Sequence, residues 1–372
     1  GLTDTIDNNQ WQGPWDAGVA DGWIVEPVGP TGCAAATPCT LAELLTALPD
    51  AAIAGDGGRV ALRAAGSGGI GMEAFADKLT ISESGTAITF DFEAEQCTTT
   101  CYVDSVSGDD TFSGKTPSEP KRTIGAAVAQ VSAGGEVIVA SGFYPESAIV
   151  LDKAVSVIGV SRLNTLVDGG GSDIFVVRSG DVALEGLTLQ NGTRGVRVVQ
   201  AATPINGVTL SALRVRNQSV AGVEVSANTS VAGLAISDSL LLNNAIGVKL
   251  ETTAKVNGLT ILRSAVDGAA TGLQQTNGGA DGALRNLLID QTSFSNNTAA
   301  AISVEELANA AIKASTFEGN GKGIVVDKRF ATSGQNAGDI TIRDNTFQGQ
   351  KNASIEIGVR GSGLSEPLAI ED

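Results

Sequence analysis

The sequence predicts an all-β fold in which short strands wind into a coil, because one pattern recurs seven times between about residues 186 and 357. Each repeat begins with a four-residue window of alternating apolar and polar side chains, which is typical of a strand with one buried face. A second such window follows 14 or 15 residues later in six repeats, and 9 residues later in the first. The first windows begin at Gly186, Gly207, Gly233, Gly258, Asn286, Asn309 and Asp339. A self-similar period of 21 to 30 residues indicates stacked units that cannot bury their apolar faces alone.

Two further positions recur in six of the repeats. Eight residues after the window start stands an apolar residue: Val215, Leu241, Val266, Phe294, Phe317 and Phe347. Two residues later stands an Asn or a Gly: Asn217, Asn243, Gly268, Asn296, Gly319 and Gly349. Asn and Gly best tolerate a left-handed backbone, and we therefore expect the chain to bend at the same place in every turn. Three short strands per turn, each stacked about 4.8 Å from its equivalent, predict a right-handed parallel β-helix.

The segment that precedes the repeats resembles the start of extracellular β-helices of the pectin-lyase-like superfamily. A Gly/Ser/Asp-rich loop at 102–114 is followed by an amphipathic stretch at 123–131 and by strand patterns at 135–142 and 154–159. The resemblance covers residues ~102–360 and implies short capping helices at the N-terminal end of the coil. The superfamily contains lyases, hydrolases, adhesins, tailspikes and structural proteins, and the fold alone therefore does not assign an activity.

The residues ahead of the coil divide into two further parts. Residues 40–81 repeat the helix, strand, loop and strand order of residues 123–157. We expect residues 33–101 to form a small domain that partly copies the start of the β-helix, with extra rungs of the main coil as the alternative. Residues 1–32 form an arm with all three tryptophans, Trp11, Trp15 and Trp23, which pack either on this chain or on a second copy. The coil is expected over 102–360, followed by a tail at 361–372.

Composition restricts the possible partners and the compartment. Forty-one acidic and 24 basic residues give a net charge of −17, which disfavours nucleic acid, and no apolar run is long enough to span a membrane. The four cysteines form two close pairs, Cys33/Cys39 and Cys97/Cys101, and the chain has no histidine. Two disulfides in an oxidising compartment are favoured over a four-thiolate zinc site, with three connectivities open. The start at Gly1 suggests a removed leader and predicts an extracellular or cell-surface location.

The search for catalytic residues yields one candidate column. With no histidine, a hydrolase could still use two carboxylates, and a lyase could use Lys or Arg as base with carboxylate-bound Ca²⁺. For the lyase, the predicted register aligns Asp290, Lys313 and Arg343. A neighbouring column contains Asp238, Arg263 and Asp344. The outward column of the second strand alternates in sign at Arg197, Glu224 and Lys249, which indicates a structural ladder.

A calcium site is a weaker alternative in the opening loop. Asp104, Asp109 and Asp110 lie close together in the sequence and could ligate Ca²⁺, although a capping turn explains them equally well. Apart from this possible Ca²⁺, the sequence predicts no cofactor.

The sequence favours a secreted or cell-surface structural protein over an enzyme. From residue 145 onward there is no Trp or Tyr to stack on a sugar ring, and the connections between strands are short. The favoured hypothesis is a spacer, adhesin module or filament or surface-layer subunit that associates with itself, head to tail or by arm exchange. The alternative is a polysaccharide lyase or another carbohydrate-active enzyme. A passive module for surface glycans is a third possibility.

Overall fold

The structure, a computed structural model, describes residues 96–276, 284–329 and 340–357, together with the strands at 70–75, 78–83, 86–91 and 368–371. The chain divides into two compact units, residues 1–94 and 95–372. In the first unit, β1 (Ile70–Phe75), β2 (Lys78–Glu83) and β3 (Thr86–Asp91) form an antiparallel sheet. The last strand predicted in the segment 40–81 falls largely within β2. The helix and the first strand predicted in that segment, and the tryptophan arm, lie outside the described residues.

The second unit is a right-handed parallel β-helix with three strands per rung, which confirms the predicted fold. Sheet 1 contains β4 (Thr100–Val103), β5 (Gly135–Val139), β8 (Val155–Gly159), β11 (Val182–Glu185), β14 (Ile205–Ser211), β17 (Ser230–Ser237), β20 (Lys255–Leu262), β23 (Leu284–Asp290), the second half of β25 (Ala300–Lys313), β28 (Ile340–Arg343) and β31 (Leu368–Glu371). Sheet 2 contains β6 (Gly142–Tyr144), β9 (Thr165–Asp168), β12 (Thr188–Gln190), β15 (Arg214–Arg216), β18 (Leu240–Leu242), β21 (Ala265–Asp267), β24 (Ser293–Ser295), β26 (Thr316–Glu318) and β29 (Thr346–Gln348). Sheet 3 contains β7 (Ile149–Leu151), β10 (Phe175–Val177), β13 (Arg194–Val198), β16 (Ala221–Val225), β19 (Ile246–Leu250), β22 (Thr271–Gln275), the first half of β25, β27 (Ile324–Arg329) and β30 (Ile355–Ile357).

Each rung runs through sheet 1, then sheet 2, then sheet 3. The seven predicted repeats form seven successive rungs, and two more rungs, beginning at β5 and β8, precede them. The strand β25 passes from sheet 3 of one rung into sheet 1 of the next without a break.

One predicted window was out of register. The window that was placed at Gly186 does not pair with Gly207 of the next rung, because Val182 pairs with Val208 and Leu184 with Leu210. The equivalent window therefore begins at Asp181, and its offset to the second window becomes 14 residues, like those of the other repeats. Gly186 instead occupies the next corner of the rung, between β11 and β12, where the chain turns with a φ of 66°.

Each rung has residues with a left-handed backbone, that is, a positive φ, at up to three equivalent positions. The predicted Asn/Gly position is left-handed throughout, from Asn191 (φ 55°) and Asn217 (φ 56°) to Gly349 (φ 64°). The window start is a second such place, and the third lies five residues after it. Those third residues are Gly186, Ala212, Asp238, Arg263, Gln291, Ala314 and Asp344. Because several of them lack the side chains that favour this backbone, the stacking of the rungs must offset the local cost.

The interior is a column of stacked apolar side chains. Phe294, Phe317 and Phe347 lie one above another, with ring centroids 5.5 Å and 4.7 Å apart and rings within 3° and 8° of parallel. Phe294 and Phe317 are fully buried, while Phe347 packs against the core from the last described rungs. The predicted apolar column is therefore confirmed as part of the core.

Buried amides join the rungs at the corner between sheets 2 and 3. The side-chain oxygens of Asn297 and Asn320 accept backbone N–H bonds from Ala269 and Asn297, at 3.1 and 3.0 Å. Their side-chain nitrogens donate to carbonyl oxygens of the rung before. The same arrangement is made by Gln218, Asn244 and Gln350. These amides satisfy backbone groups that the sheets leave unpaired at the bend.

The first strand of the coil has its outer edge covered by its own chain. The amide of Tyr102 in β4 donates to the carbonyl of Gly114, and the amide of Lys121 donates to the carbonyl of Tyr102. One helix, α1 (Ile124–Gln130), occurs in the described part of the chain; it starts at the N-cap Thr123 and contacts β4, β5 and β7. It confirms the amphipathic stretch predicted here. An exposed strand edge is a site for unwanted pairing, and the loop before α1 removes it.

We expect Phe317→Ala to lower the free energy of unfolding by about 3–5 kcal/mol, because it empties the centre of the aromatic column. Phe143→Ala is the matched control, since Phe143 is 52% exposed on sheet 2 and should contribute little. Denaturant titration followed by circular dichroism measures both. Equal losses for the two variants would contradict the stacked-core description.

Candidate functional site

The three residues of the predicted lyase column lie on one line. Asp290, Lys313 and Arg343 are the last residues of their sheet 1 strands and are paired rung on rung in the register. The Nζ of Lys313 lies 3.2 Å from a carboxylate oxygen of Asp290, and Arg343 contacts the adjacent Asp344 at 3.1 Å. The sequence therefore predicted their alignment correctly. Lys313 and Asp290 therefore neutralise each other, whereas Arg343 is paired with a residue outside the column.

The neighbouring column is also occupied by an ion pair. The guanidinium of Arg263 donates to both carboxylate oxygens of Asp238, at 2.8 and 2.7 Å. These bonds hold the pKa of Asp238 below its ordinary value, although both side chains are about half exposed. The Nη1 of Arg162 donates to the backbone oxygen of Asp238 at 2.6 Å. Arg162 lies in residues 160–164, the one connection between sheets 1 and 2 in the described rungs that is longer than two residues. It reaches from the second rung to the fifth.

The three candidate calcium ligands each bind the backbone of their own loop. Asp104 accepts from the amides of Val106 and Ser107, and Asp109 accepts from the amide and hydroxyl of Thr111. Partial burial would raise the pKa of Asp104, but the hydrogen bonds outweigh it and lower the value. The Thr111 bonds likewise lower the pKa of Asp109.

The third aspartate joins this loop to the helix start. Asp110 accepts from the amides of Arg122 and Thr123 and from the Thr123 hydroxyl, each at 2.9 Å. Among the described residues, no group of three His, Cys, Asp or Glu side chains is arranged to hold a metal ion. The Ca²⁺ site stays a prediction, and each of the three carboxylates has a structural partner.

The described disulfide belongs to the start of the coil. Cys97 and Cys101 are bonded and almost fully buried. This pairing leaves only the local connectivity open for the other two cysteines, Cys33 and Cys39, which lie outside the described residues. The predicted assembly residues Trp11, Trp15 and Trp23 also lie outside them.

The structure adds a charge network that the sequence did not predict. The predicted ladder of Arg197, Glu224 and Lys249 is paired in register, but Glu224 is only 1% exposed. Arg194 lies 2.7 Å from Glu224 and 3.0 Å from Asp173, and Arg197 also contacts Asp173. Bonds to these two carboxylates raise the pKa of Arg194 despite its partial desolvation.

The network was missed because its members come from two parts of the rung. Asp173 ends the Gly/Ser-rich segment 168–173, which does not alternate, and Arg194 precedes the alternating window. The alternation pattern therefore gave no signal that they meet. The oppositely charged side chains of this network neutralise one another over the outer face of sheet 3.

Two grooves are described, and neither contains the lyase column. The larger, about 540 Å³, lies between α1 and the start of β7 and is lined in part by Val128, Glu146 and Ile149. Glu146 accepts from the amides of Ile124 and Gly125 at 2.8 and 3.0 Å, and burial raises its pKa. Both of its oxygens are therefore engaged by α1. The smaller, about 280 Å³, is lined in part by Lys255 and Arg285.

Comparisons with known proteins place the chain by fold. A family model described as "Protein of unknown function (DUF1565)" matches residues 106–365. No curated protein sequence gives a significant match.

No helix in the described residues is long and apolar enough to cross a membrane.

The solved structures that are similar to this chain at low identity include the following three. ORF18 of Geobacillus virus E2 is 12% identical over 76% of this chain and 66% of its own, with a TM-score of 0.41. An alginate lyase from Paenibacillus sp. str. FPU-7 is 12% identical over 70% of this chain and 99% of its own, with a TM-score of 0.37. A GH136 lacto-N-biosidase from Eubacterium ramulus is 11% identical over 73% of this chain and 68% of its own, with a TM-score of 0.36. The chain spans just under two thirds of the viral protein's length. Similarity at this level assigns no substrate.

We expect Glu224→Gln to destabilise the coil by about 3 kcal/mol, because removing one member of a buried ion pair leaves Arg194 incompletely compensated. Asp238→Asn, in an exposed pair, is the matched control and should change the unfolding transition much less. Thermal and denaturant unfolding measure both. The double variant Glu224→Gln/Arg194→Gln should recover part of the loss; strictly additive losses would contradict the coupling.

Proposed function

The chain belongs to the family described as "Protein of unknown function (DUF1565)", and from this premise we propose that its role is structural. It serves as a secreted or cell-surface β-helical subunit: a spacer, an adhesin module or a building block of a larger assembly. Catalysis is not part of this proposal.

The observation that carries the proposal is the pairing of charged side chains along the coil. Lys313 is paired with Asp290 at 3.2 Å, Lys322 with Glu356 at 2.6 Å, and Arg194 with Glu224 at 2.7 Å. A general acid or base must reach its substrate, and ligand sites are usually concave. Side chains that neutralise the rung above or below contribute to shape instead. The disulfide adds support for an oxidising compartment, where such bonds persist.

A polysaccharide lyase is the second candidate, because one observation favours it. Asp290, Lys313 and Arg343 are paired in register at the same edge of sheet 1. In such a lyase, the carboxylate of Asp290 would bind Ca²⁺, and Lys313 or Arg343 would be the base that abstracts a proton from a uronate. Polyuronates are the substrates to test first, because the sequence resembles pectin-lyase-like proteins.

Incubation with polyuronates at alkaline pH with Ca²⁺ separates the two candidates. We expect no rise in the ultraviolet absorbance of unsaturated products. The amine of Lys313, the candidate base, is paired with Asp290 and lies outside both described grooves. A known alginate lyase run in parallel establishes that the assay responds.

An absorbance rise that disappears in Lys313→Ala or Arg343→Ala would replace the structural proposal with the lyase. Lys249→Ala is the matched control, since Lys249 pairs with Glu251 on sheet 3, away from the column. That variant should keep whatever activity the native chain has.

Self-association through the tryptophan arm completes the proposal. The arm carries all three tryptophans, and exposed aromatic clusters are typical of contact surfaces. Partner copies would be held head to tail or by exchange of arms, and a contact that does not close produces a filament.

We expect the full chain to form species larger than a monomer, and deletion of residues 1–32 to return it to one. Light scattering after size-exclusion chromatography measures the mass, and electron micrographs report the form of the assembly. Replacing Trp11, Trp15 and Trp23 with alanine keeps the arm's length and tests the aromatic contacts separately. An unchanged mass after the deletion would remove self-association through this arm from the proposal.

A further inference from the structure

A buried lysine lies under the first strand of the coil. Lys121 is 2% exposed, and its backbone forms a bridge with Val103 at the outer edge of β4. Its Nζ donates to the side-chain oxygen of Gln96 at 2.5 Å and to the backbone oxygen of Asp110 at 2.9 Å. Both of these contacts are with neutral oxygens. Buried lysines ordinarily require a carboxylate partner.

Burial affects the protonation of this amine. Desolvation lowers the pKa of Lys121 below its ordinary value, and the negative charges of Asp110 and Asp109 only partly oppose the shift. The carboxylate of Asp110 is engaged by the amides of Arg122 and Thr123. A desolvated lysine is more readily available as a neutral nucleophile than an exposed one.

The disulfide fixes the position of Gln96. Gln96 immediately precedes Cys97, which is bonded to Cys101 in β4 and whose amide donates to the carbonyl of Ser113. The side chain of Lys121 and the sulfur of Cys97 both approach Gly114, where an added Cβ would lie 2.8 Å from that sulfur. The amine and the amide are therefore held together by the same small loop.

We propose that Lys121 and Gln96 form an intramolecular isopeptide bond. With Nζ at 2.5 Å from the amide oxygen, it lies within about 3.7 Å of the carbonyl carbon, since a C=O bond is about 1.23 Å long. Reacting atoms held at about 3–3.5 Å gain a large advantage over a bimolecular encounter.

The reaction balances without a further reactant. The Lys121 ammonium releases a proton, and the neutral Nζ attacks Cδ of Gln96. The new C–Nζ bond forms and the bond from Cδ to Nε2 breaks. The Nε2 nitrogen leaves as ammonia, which takes up the released proton. One primary amide and one ammonium ion are converted into one secondary amide and ammonium.

Intact mass spectrometry of the full chain, denatured and with its disulfides reduced, tests the bond. We expect the protein to be lighter than its sequence by the mass of one ammonia molecule. After digestion with trypsin, we expect peptide 116–122, uncut after Lys121, to be joined to peptide 79–115, which contains Gln96. Peptide mapping is necessary because Asn–Gly sequences such as Asn191–Gly192 also lose ammonia on forming a succinimide.

Two variants and one control complete the experiment. Lys121→Arg and Gln96→Glu should each abolish the joined peptide, the first by removing the nucleophile and the second by removing the ammonia leaving group. Lys153→Arg should keep it, since the Lys153 amine also contacts a backbone carbonyl, that of Ala129 at 3.1 Å, but is not buried. Separate, unmodified peptides from the native chain would overturn the proposal and leave Lys121 with a hydrogen bond only.

Discussion

Parallel pairing between successive rungs is the interaction on which the rest of the molecule depends. Each strand has its hydrogen-bonding partners about 4.8 Å away in the rungs on either side, and the same place in every rung therefore faces its own equivalents. The Phe294, Phe317 and Phe347 rings stack for this reason, and so do the buried amides of Asn297 and Asn320. Left-handed corners at residues such as Arg263 and Gln291 persist because they place the next strand in register.

The same stacking governs the charges. Like charges a rung apart would repel, and unlike charges attract, so that a column of outward side chains is stable when it alternates or contains neutral residues. Arg197, Glu224 and Lys249 follow this rule on sheet 3, and Asp290 and Lys313 follow it on sheet 1. Arg343, which is stacked on Lys313, departs from it and contacts the adjacent Asp344 instead. The low exposure of Glu224 arises where a second cation, Arg194, approaches from the corner of the rung before. Alternation of charge in such a column is therefore explained by the stacking of the rungs and is not by itself a sign of chemistry.

The sequence predicted what a single rung repeats and missed what joins different parts of rungs. The apolar column at Phe317 and the bends at Asn217 and Gly268 have fixed offsets, and the structure confirms them. The window at Gly186 was wrong because Gly186-Leu-Thr-Leu alternates as well as Asp181-Val-Ala-Leu does, and only pairing distinguishes the two. The alignment of Asp290 with Lys313 followed from register alone. The contact of Arg194 with Glu224 lies outside the register, because the residue paired with Glu224 is Arg197, three positions further along β13.

A reactive site in such a coil requires a segment that does not follow the repeat. The described residues contain segments of this kind. The connection at 160–164 is longer than its equivalents, leaves the corner of its own rung and fixes Arg162 to the backbone of Asp238, three rungs further on. The loop at 104–123 departs further, since it covers the edge of β4 and buries Lys121 beside Gln96. Regular rungs contain several paired charges, such as Lys313 with Asp290, whereas in this second departure a desolvated amine lies against an amide instead of a carboxylate. Unusual chemistry in this molecule is therefore expected where the repeat ends.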